Sequence, residues 1–256
     1  MSTPGFSLAA RLRAGETIFS AWCGLSSPLV TGTLAREGFN TVTIDAQHGM
    51  WDQASIVTGI SSIRHGGAAA ILRIPLEDWG GASRALDWGA EGIIAPMINN
   101  VADAKKFVSV TKFPPIGERS WGPHRATMLA GIPDQSVYLR EFNNDMVTLA
   151  MIETKEAMQN LDAIAAVEGI DILFVGPSDL SINLIGKVDP EGKDVEAALE
   201  KVLAAAQKNK KYAGVYCHNA ERAKACAKRG FKFHAVGSDL GFLRAGAQAQ
   251  VKALKG

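Results

Sequence analysis

The feature that most constrains the fold is the alternation of short apolar runs with longer amphipathic segments. Each run is continuous, which is typical of parallel strands buried on both faces. The eight runs are Thr17–Trp22, Thr41–Asp45, Ala68–Arg73, Gly92–Pro96, Val147–Glu153, Asp171–Pro177, Tyr212–Cys217 and Phe233–Gly237. Strand–helix alternation repeated eight times predicts an α/β fold, a (β/α)8 barrel.

The segments between the runs have helical periodicity. Val195, Leu199, Val202 and Leu203 lie on one face of such a segment. A length of 256 residues is typical of one barrel, so we predict a single domain over residues 1–256. An open doubly wound sheet is the alternative, but no G-x-G-x-x-G follows the first run, which counts against a dinucleotide-binding fold.

Charge and cysteine content exclude several classes of partner. A formal net charge of +1 argues against nucleic acid or an anionic membrane. Cys23, Cys217 and Cys226 are scattered, which predicts reduced thiols rather than a disulfide framework or a structural zinc site. Residues 1–16 contain no apolar signal-peptide core, and no apolar run reaches about 18 residues, so we predict a cytoplasmic protein.

Polar side chains stand where the predicted strands end. They are Asp45, Arg73, Glu153, Asp179 and Asp239, with His48 three residues after Asp45. The carboxyl ends of barrel strands meet at one face, where barrel enzymes have their active sites. Glu153 and Asp179 follow consecutive strands and are therefore predicted neighbours.

Two neighbouring carboxylates repel each other unless a cation lies between them. An all-oxygen site with open positions suits magnesium or manganese better than zinc. The alternative is that each carboxylate pairs with a lysine or arginine at the barrel rim.

Three further side chains have both a functional and a structural interpretation. His48 is either a proton-transfer group or a solvated loop histidine. Arg73 is either an oxyanion-stabilising group or half of a rim ion pair. Trp22 is either a pocket wall or a packing residue.

Seven segments resemble the HpcH/HpaI aldolase family of class II pyruvate aldolases. They are Ile44–Gly49, Leu72–Pro75, Ile94–Met97, Pro115–Ser120, Ile152–Thr154, Val167–Asp171 and Gly176–Ser181. The resemblance runs from about Phe6 to Val251. It implies a barrel of the phosphoenolpyruvate/pyruvate superfamily type.

The resemblance also implies a set of site residues. Glu153 and Asp179 match the ligands of a divalent magnesium, manganese or cobalt ion, and Arg73 matches the arginine that contacts the keto oxygen. His48 matches the catalytic histidine, and Asp87 matches the carboxylate that orients it.

Other matching residues surround the substrate. Asp45 matches a position near the metal's water. Trp22 matches the pocket around the pyruvate carboxylate, as does the backbone of Gly176, Pro177, Ser178 and Asp179. Tyr216 and Cys217 occupy positions expected to face the aldehyde. Met151 and Gln47 depart from the family pattern, in which glutamine and glutamate are common at these places.

The implied activity is cleavage of 4-hydroxy-2-keto acids to pyruvate and an aldehyde, and the reverse aldol addition, through a pyruvate enolate. The implied setting is aromatic-compound breakdown. The implied assembly is a homo-hexamer in which the last helix, with its apolar stripe in Leu240–Leu254, packs on a neighbouring barrel.

Three alternatives compete with this activity. A lyase for CoA thioesters such as malyl-CoA or citramalyl-CoA is expected to carry a longer carboxyl-terminal region. A class I aldolase needs a lysine at an inward strand position, whereas strand six offers Phe174 and Val175, and Lys155 lies on a loop. A catalytically silent barrel acting as a ligand sensor would not need an intact set of polar strand ends.

Overall fold

The computed structural model describes residues 7–255, so Phe6, the rest of residues 1–6 and residue 256 lie outside the description. The strands form a closed, all-parallel barrel in sequence order. They are β1 (Ile18–Cys23), β2 (Thr41–Asp45), β3 (Ala69–Arg73), β4 (Gly92–Ala95), β5 (Val147–Ile152), β6 (Ile172–Val175), β7 (Tyr212–Cys217) and β8 (Phe233–Val236). Every predicted run overlaps one of these strands, with ends displaced by at most two residues. The (β/α)8 prediction is confirmed.

Helices precede the first strand and follow every strand, twice or more where the connections are long. They are α1 (Leu8–Arg13), α2 (Pro28–Arg36), α3 (Gln53–His65), α4 (Trp79–Asp87), α5 (Val101–Thr111), α6 (His124–Ala130), α7 (Gln135–Asp145), α8 (Lys155–Gln159), α9 (Leu161–Ala165), α10 (Pro177–Ile185), α11 (Lys193–Lys208), α12 (Ala220–Arg229) and α13 (Asp239–Lys255). Within residues 7–255, no helix has both the length and the hydropathy needed to cross a membrane.

Alternate residues of each strand point into the barrel, as strand geometry requires. Inward-facing side chains such as Ile71, Leu149, Met151 and Phe174 form one buried cluster. The outward-facing residues pack beneath the surrounding helices in a second and larger cluster. The barrel is therefore a filled core, with polar chemistry confined to its ends.

Helix α1 closes the amino-terminal end of the barrel. Its Leu8 and Leu12 belong to the interior cluster. The main-chain nitrogens of Ser7 and Leu8 donate to Glu91 Oε2 at 2.7 and 3.0 Å. Arg64 Nη1 donates to Glu91 Oε1 at 2.6 Å, so the buried carboxylate that anchors the helix is itself paired.

Helix α13 does not pack along its own barrel. Asp239, its first residue, is the one buried residue of the helix within the described part of the chain. Leu240, Leu243 and Val251, which form the apolar stripe, are 50%, 64% and 48% exposed. The stripe is apolar, as a packed helix face would be, but no other element within residues 7–255 covers it.

Candidate active site

A cavity of about 200 Å³ opens at the carboxyl ends of the strands. Its lining residues are Trp22, His48, Arg73, Met151, Phe174, Gly176, Pro177, Ser178, Asp179 and Tyr216. The structure thus brings together most of the residues predicted around the substrate. Phe174 was not predicted as a site residue, although its place two residues before Gly176 puts it on the inward face of β6.

Asp45 and Arg73 form a two-bond ion pair at the cavity wall. The β2–β3 register places the two residues side by side. Arg73 Nε donates to Asp45 Oδ1 at 2.8 Å, and Nη2 donates to Oδ2 at 2.7 Å. Burial would raise the pKa of Asp45, but the hydrogen bonds and charge of Arg73 outweigh it and lower that pKa. Asp45 is therefore an anion that fixes its arginine.

The same ion pair aims the guanidinium group at the cavity. Trp22 Nε1 donates to Asp45 Oδ2 at 3.1 Å, and Arg73 Cζ lies 4.8 Å from the centre of the Trp22 ring. With Nε and Nη2 bound to Asp45, Nη1 has no hydrogen-bond partner among the described residues. The ion-pair interpretation of Arg73 is therefore correct, and the paired arginine still keeps a free donor that suits an anion.

His48 lies at the cavity mouth, on a tight turn after β2. Its main-chain nitrogen donates to Asp45 Oδ1 at 3.3 Å. A Cβ atom at Gly49 would lie 2.2 Å from the carbonyl oxygen of Asp45 and 2.8 Å from that of Gly24, so only glycine fits this turn. The side chain of His48 is exposed, which leaves the imidazole free to exchange protons with solvent and ligand.

Glu153 carries a buried oxygen without a protein partner. Its Oε1 accepts from the Met97 main-chain nitrogen at 2.9 Å, while Oε2 is buried and unpaired among the described residues. Burial raises the pKa of Glu153 to about 7, against the Met97 hydrogen bond, and the nearby Asp179 charge raises it further. The alternative pairing of Glu153 with a rim lysine or arginine is not seen within residues 7–255.

This donor set suits a divalent cation. Asp179 lies in the first turn of α10, whose amino terminus faces the cavity beside Glu153. Within the described residues, no three His, Cys, Asp or Glu side chains converge on one point. The protein therefore offers two carboxylates, which leaves coordination positions open for oxygen ligands from a substrate or from water.

Aromatic and apolar side chains form the cavity floor and one wall. The rings of Trp22 and Phe174 stack with centroids 6.3 Å apart, and Tyr216 packs edge-on against Trp22 at 5.5 Å. The Tyr216 hydroxyl donates to the Gly237 carbonyl oxygen at 3.2 Å. Cys217 does not face the aldehyde position as expected: it is buried on the helix side of β7, because neighbouring strand residues point in opposite directions.

Asp87 lies away from the cavity. It is the last residue of α4, which runs from the carboxyl end of β3 back to the amino end of β4. It therefore stands at the opposite end of the barrel from His48, where Arg119 Nη2 pairs with its carboxylate at 2.5 Å. One chain alone does not bring Asp87 to His48.

No lysine lines the cavity in the described part of the chain. Lys155 is exposed at the start of α8. Lys112 is buried, and burial lowers its pKa, but its Nζ donates to the carbonyl oxygens of Asn143 and Met146 and to Asp171. Those partners precede β5 and β6, so Lys112 serves the closed end of the barrel.

Comparison with known proteins gives matches over nearly the whole chain. A hydroxypyruvate/pyruvate aldolase from Rhizorhabdus wittichii is 36% identical over 91% of this chain and 92% of its own length. A 4-hydroxy-2-oxo-heptane-1,7-dioate aldolase from Escherichia coli is 34% identical over 95% of this chain and 92% of its own length.

Solved structures and family models agree with these relatives. The crystal structure of an HpcH/HpaI aldolase/citrate lyase family protein from Burkholderia cenocepacia J2315 superimposes with a TM-score of 0.89 at 27% identity, covering 98% of this chain and all of that one. The model of the HpcH/HpaI aldolase/citrate lyase family matches residues 19–245. The chain therefore belongs to the HpcH/HpaI aldolase/citrate lyase family.

Proposed function

We propose that this protein is a divalent-cation-dependent aldolase that cleaves 4-hydroxy-2-keto acids to pyruvate and an aldehyde, and catalyses the reverse addition. The observation that carries the proposal is the buried, unpaired Oε2 of Glu153, which lies near Asp179 and against Gly176. Asp179 and Gly176 line the same cavity as the fixed guanidinium of Arg73. Relatives named as aldolases for pyruvate, hydroxypyruvate and 4-hydroxy-2-oxo-heptane-1,7-dioate support this reaction class.

Glu153 and Asp179 would hold a magnesium, manganese or cobalt ion. When bound, the ion supplies a Lewis acid that makes a pyruvate enolate accessible. The amino terminus of α10, at Gly176–Asp179, offers main-chain N–H groups to the substrate carboxylate. Arg73, held by Asp45, directs its remaining N–H groups at the oxygen where negative charge develops.

His48 is proposed to carry the protons. In cleavage it accepts the proton of the 4-hydroxyl group while the C3–C4 bond breaks, which releases the aldehyde and leaves a pyruvate enolate. Protonation of that enolate at C3 then gives pyruvate. The exposed position of His48 at the cavity mouth suits both exchange with solvent and approach of the aldehyde.

Assembly is part of the proposal. An apolar groove of about 660 Å³ lies beside α13, between the outer face of β8 and α12, and includes Phe19, Phe39 and Phe242. We propose that α13 of a neighbouring copy contributes to covering this groove in a homo-hexamer. The same neighbour contacts could bring a second chain's carboxylate to His48, which is the route by which Asp87 can have the orienting role implied by the family.

The proposed setting follows from the substrates. Pyruvate, aldehydes and 4-hydroxy-2-keto acids are small molecules, and we propose a cytoplasmic enzyme of aromatic-compound breakdown with no nucleic-acid or membrane partner. The net charge of +1 agrees with that setting.

The test is aldol cleavage after removal of metal ions. Dialysis against EDTA should abolish cleavage, and magnesium, manganese or cobalt should restore it. Glu153→Gln and Asp179→Asn should lose cleavage under all of these conditions, whereas Glu156→Gln, which changes an exposed carboxylate on α8, should not. Borohydride with pyruvate should leave the protein unmodified, because none of the lysines within residues 7–255 lines the cavity.

Two outcomes would contradict this mechanism. Full activity in excess EDTA, or a reduced pyruvate adduct on a lysine, would indicate imine chemistry. A protein that neither cleaves keto acids nor decarboxylates oxaloacetate with any of the three metals would be a silent barrel instead.

A further inference from the structure

The Glu153 carboxylate is held by a main-chain group in an unusual conformation. Met97, two residues after β4, has a φ of 53°, in the left-handed region that residues with a Cβ atom rarely adopt. This conformation aims the Met97 N–H at Glu153 Oε1, 2.9 Å away. The chain then returns to pairing with β5, because Ile98 N donates to the Met151 carbonyl oxygen at 3.2 Å. The side chain of Met97 is only partly buried, so its packing gives no obvious reason for the left-handed turn.

The two oxygens of Glu153 therefore differ. Oε1 is occupied by a hydrogen bond, and Oε2 is buried with no protein partner in the described part of the chain. A carboxylate in this state offers one oxygen to a ligand, rather than two.

Gly176 borders that free oxygen. A Cβ atom at position 176 would lie 2.4 Å from Glu153 Oε2 and 2.9 Å from Met151 Cε. Its backbone, with φ −93° and ψ 91°, is open to any residue. Glycine is thus needed here for space and not for conformation.

The other end of the same helix gives the opposite case. Gly186, the C-cap of α10, has a φ of 71°, and a Cβ atom there would meet nothing within 4 Å. Gly186 is needed for conformation and not for space. The two glycines therefore form a matched pair for experiment.

We propose that Gly176 and the main chain of Met97 position Glu153, so that it presents Oε2 alone to the catalytic cation. This inference rests on the proposed function. It adds two residues that supply no ligand atom to the metal but decide which carboxylate oxygen is available.

The first experiment measures Mn²⁺ affinity and metal-free thermal unfolding side by side. Gly176→Ala should weaken Mn²⁺ binding about 10- to 100-fold, the usual range for groups that orient a metal ligand. Gly186→Ala should lower the unfolding temperature, because alanine is strained at that φ, and should leave Mn²⁺ binding intact. Electron paramagnetic resonance of free Mn²⁺ gives the affinity without relying on activity.

Shortening the glutamate provides a rescue. Glu153→Asp withdraws the carboxylate by one methylene from the added methyl group. Gly176→Ala should therefore cost less affinity in the Glu153→Asp background than in the wild type. An equal loss in both backgrounds would show that contact with the carboxylate is not the cause.

Substitutions at Met97 test the hydrogen bond independently, even if Gly176→Ala does not fold. Met97→Val, whose branched side chain opposes a left-handed φ, should weaken Mn²⁺ binding more than Met97→Gly, which adopts it freely. Equal affinities for these two variants, or wild-type affinity in a folded Gly176→Ala variant, would overturn this inference but not the proposed function. A wild-type protein that binds no Mn²⁺ would overturn the proposed function as well.

Discussion

At the scale of single residues, Asp45 holds three other residues in position, two through their side chains and one through its main chain. Its carboxylate accepts from Arg73, from the Trp22 indole and from the main chain of His48. Arg73 and Trp22 form the cavity wall, while His48 stands at its mouth. A change at His48 can therefore be made without disturbing the groups that Asp45 holds through their side chains.

His48→Ala should lower the rate of aldol cleavage by roughly two to four orders of magnitude, the usual range for an acid–base group. Its Mn²⁺ affinity should change little, because the proposed ligands are Glu153 and Asp179. Steady-state kinetics and Mn²⁺ titration give both quantities, with His65→Ala, at an exposed position of α3, as the control. A collapse of metal binding would make His48 a ligand and refute its assigned role.

Metal affinity should depend on pH through Glu153. Burial raises the pKa of this carboxyl to about 7 in the metal-free protein, so the cation must displace a proton below that pH. We expect Mn²⁺ affinity to fall about tenfold per pH unit as the pH drops from 7 toward 5.5. Calorimetric titrations at several pH values test this expectation, and a flat affinity over that range would contradict it.

At the scale of elements, strand β8 carries a buried titratable group other than Glu153. His234 is fully buried, its Nδ1 lies 3.4 Å from the Ile18 carbonyl oxygen, and its Nε2 has no partner within residues 7–255. Burial lowers its pKa to about 4, against the Ile18 contact. Between about pH 6.5 and 4, the unfolded chain therefore binds a proton that the folded chain does not.

Stability should consequently be lost on acidification through this window. His234 should make the free energy of unfolding about 2 kcal/mol lower at pH 5 than at pH 8. Urea unfolding measures this free energy at both pH values. In His234→Leu, the difference in the free energy of unfolding between pH 5 and pH 8 should be smaller than in the wild type by that amount. The control is His65→Gln, at an exposed position. Identical pH differences in the wild type and His234→Leu would rule out this assignment.

The elements also show what the sequence could predict. All eight strands are evident from largely apolar runs, because burial on both faces leaves few polar positions in them. Asp45, Arg73 and Asp179 could be placed at the cavity because strand ends converge. Asp87 is the last residue of a helix, and the helices end at the opposite face of the barrel from the cavity. The family resemblance paired Asp87 with His48, but one chain alone does not bring these two residues together.

Other features of the site depend on details that apolar patterns do not encode. Cys217 and Tyr216 were both expected to face the aldehyde. Consecutive residues of a strand point to opposite sides, so only Tyr216 faces the cavity. The left-handed conformation at position 97 is adopted by a methionine rather than by glycine or asparagine, so the sequence does not indicate it. That turn places the hydrogen bond on Glu153 Oε1, and the unpaired Oε2 is evident only in three dimensions.

At the scale of the whole molecule, α13 indicates that one chain is incomplete. A helix of 17 residues is about 26 Å long and, without packing, is only marginally stable in water. Here its apolar stripe is exposed. A second copy of the chain is the partner that we expect to cover it.

Light scattering at micromolar concentration should therefore give a multiple of the 27.2 kDa chain mass, and six copies in the proposed hexamer. Leu243→Asp, within the apolar stripe, should shift the protein to smaller species because it buries a charge in the interface. A monomeric wild type would contradict the proposed assembly.

The closed end of the barrel has a consequence for turnover. Because Glu91 anchors α1 across one end, the catalytic cavity has its entrance at the other. In the proposed mechanism the keto acid sits deepest, against the carboxylates and Arg73, and the aldehyde lies between it and the entrance. With a single entrance, substrates bind and products leave in a fixed order. After cleavage the aldehyde leaves before pyruvate, and in the reverse reaction the aldehyde enters after pyruvate.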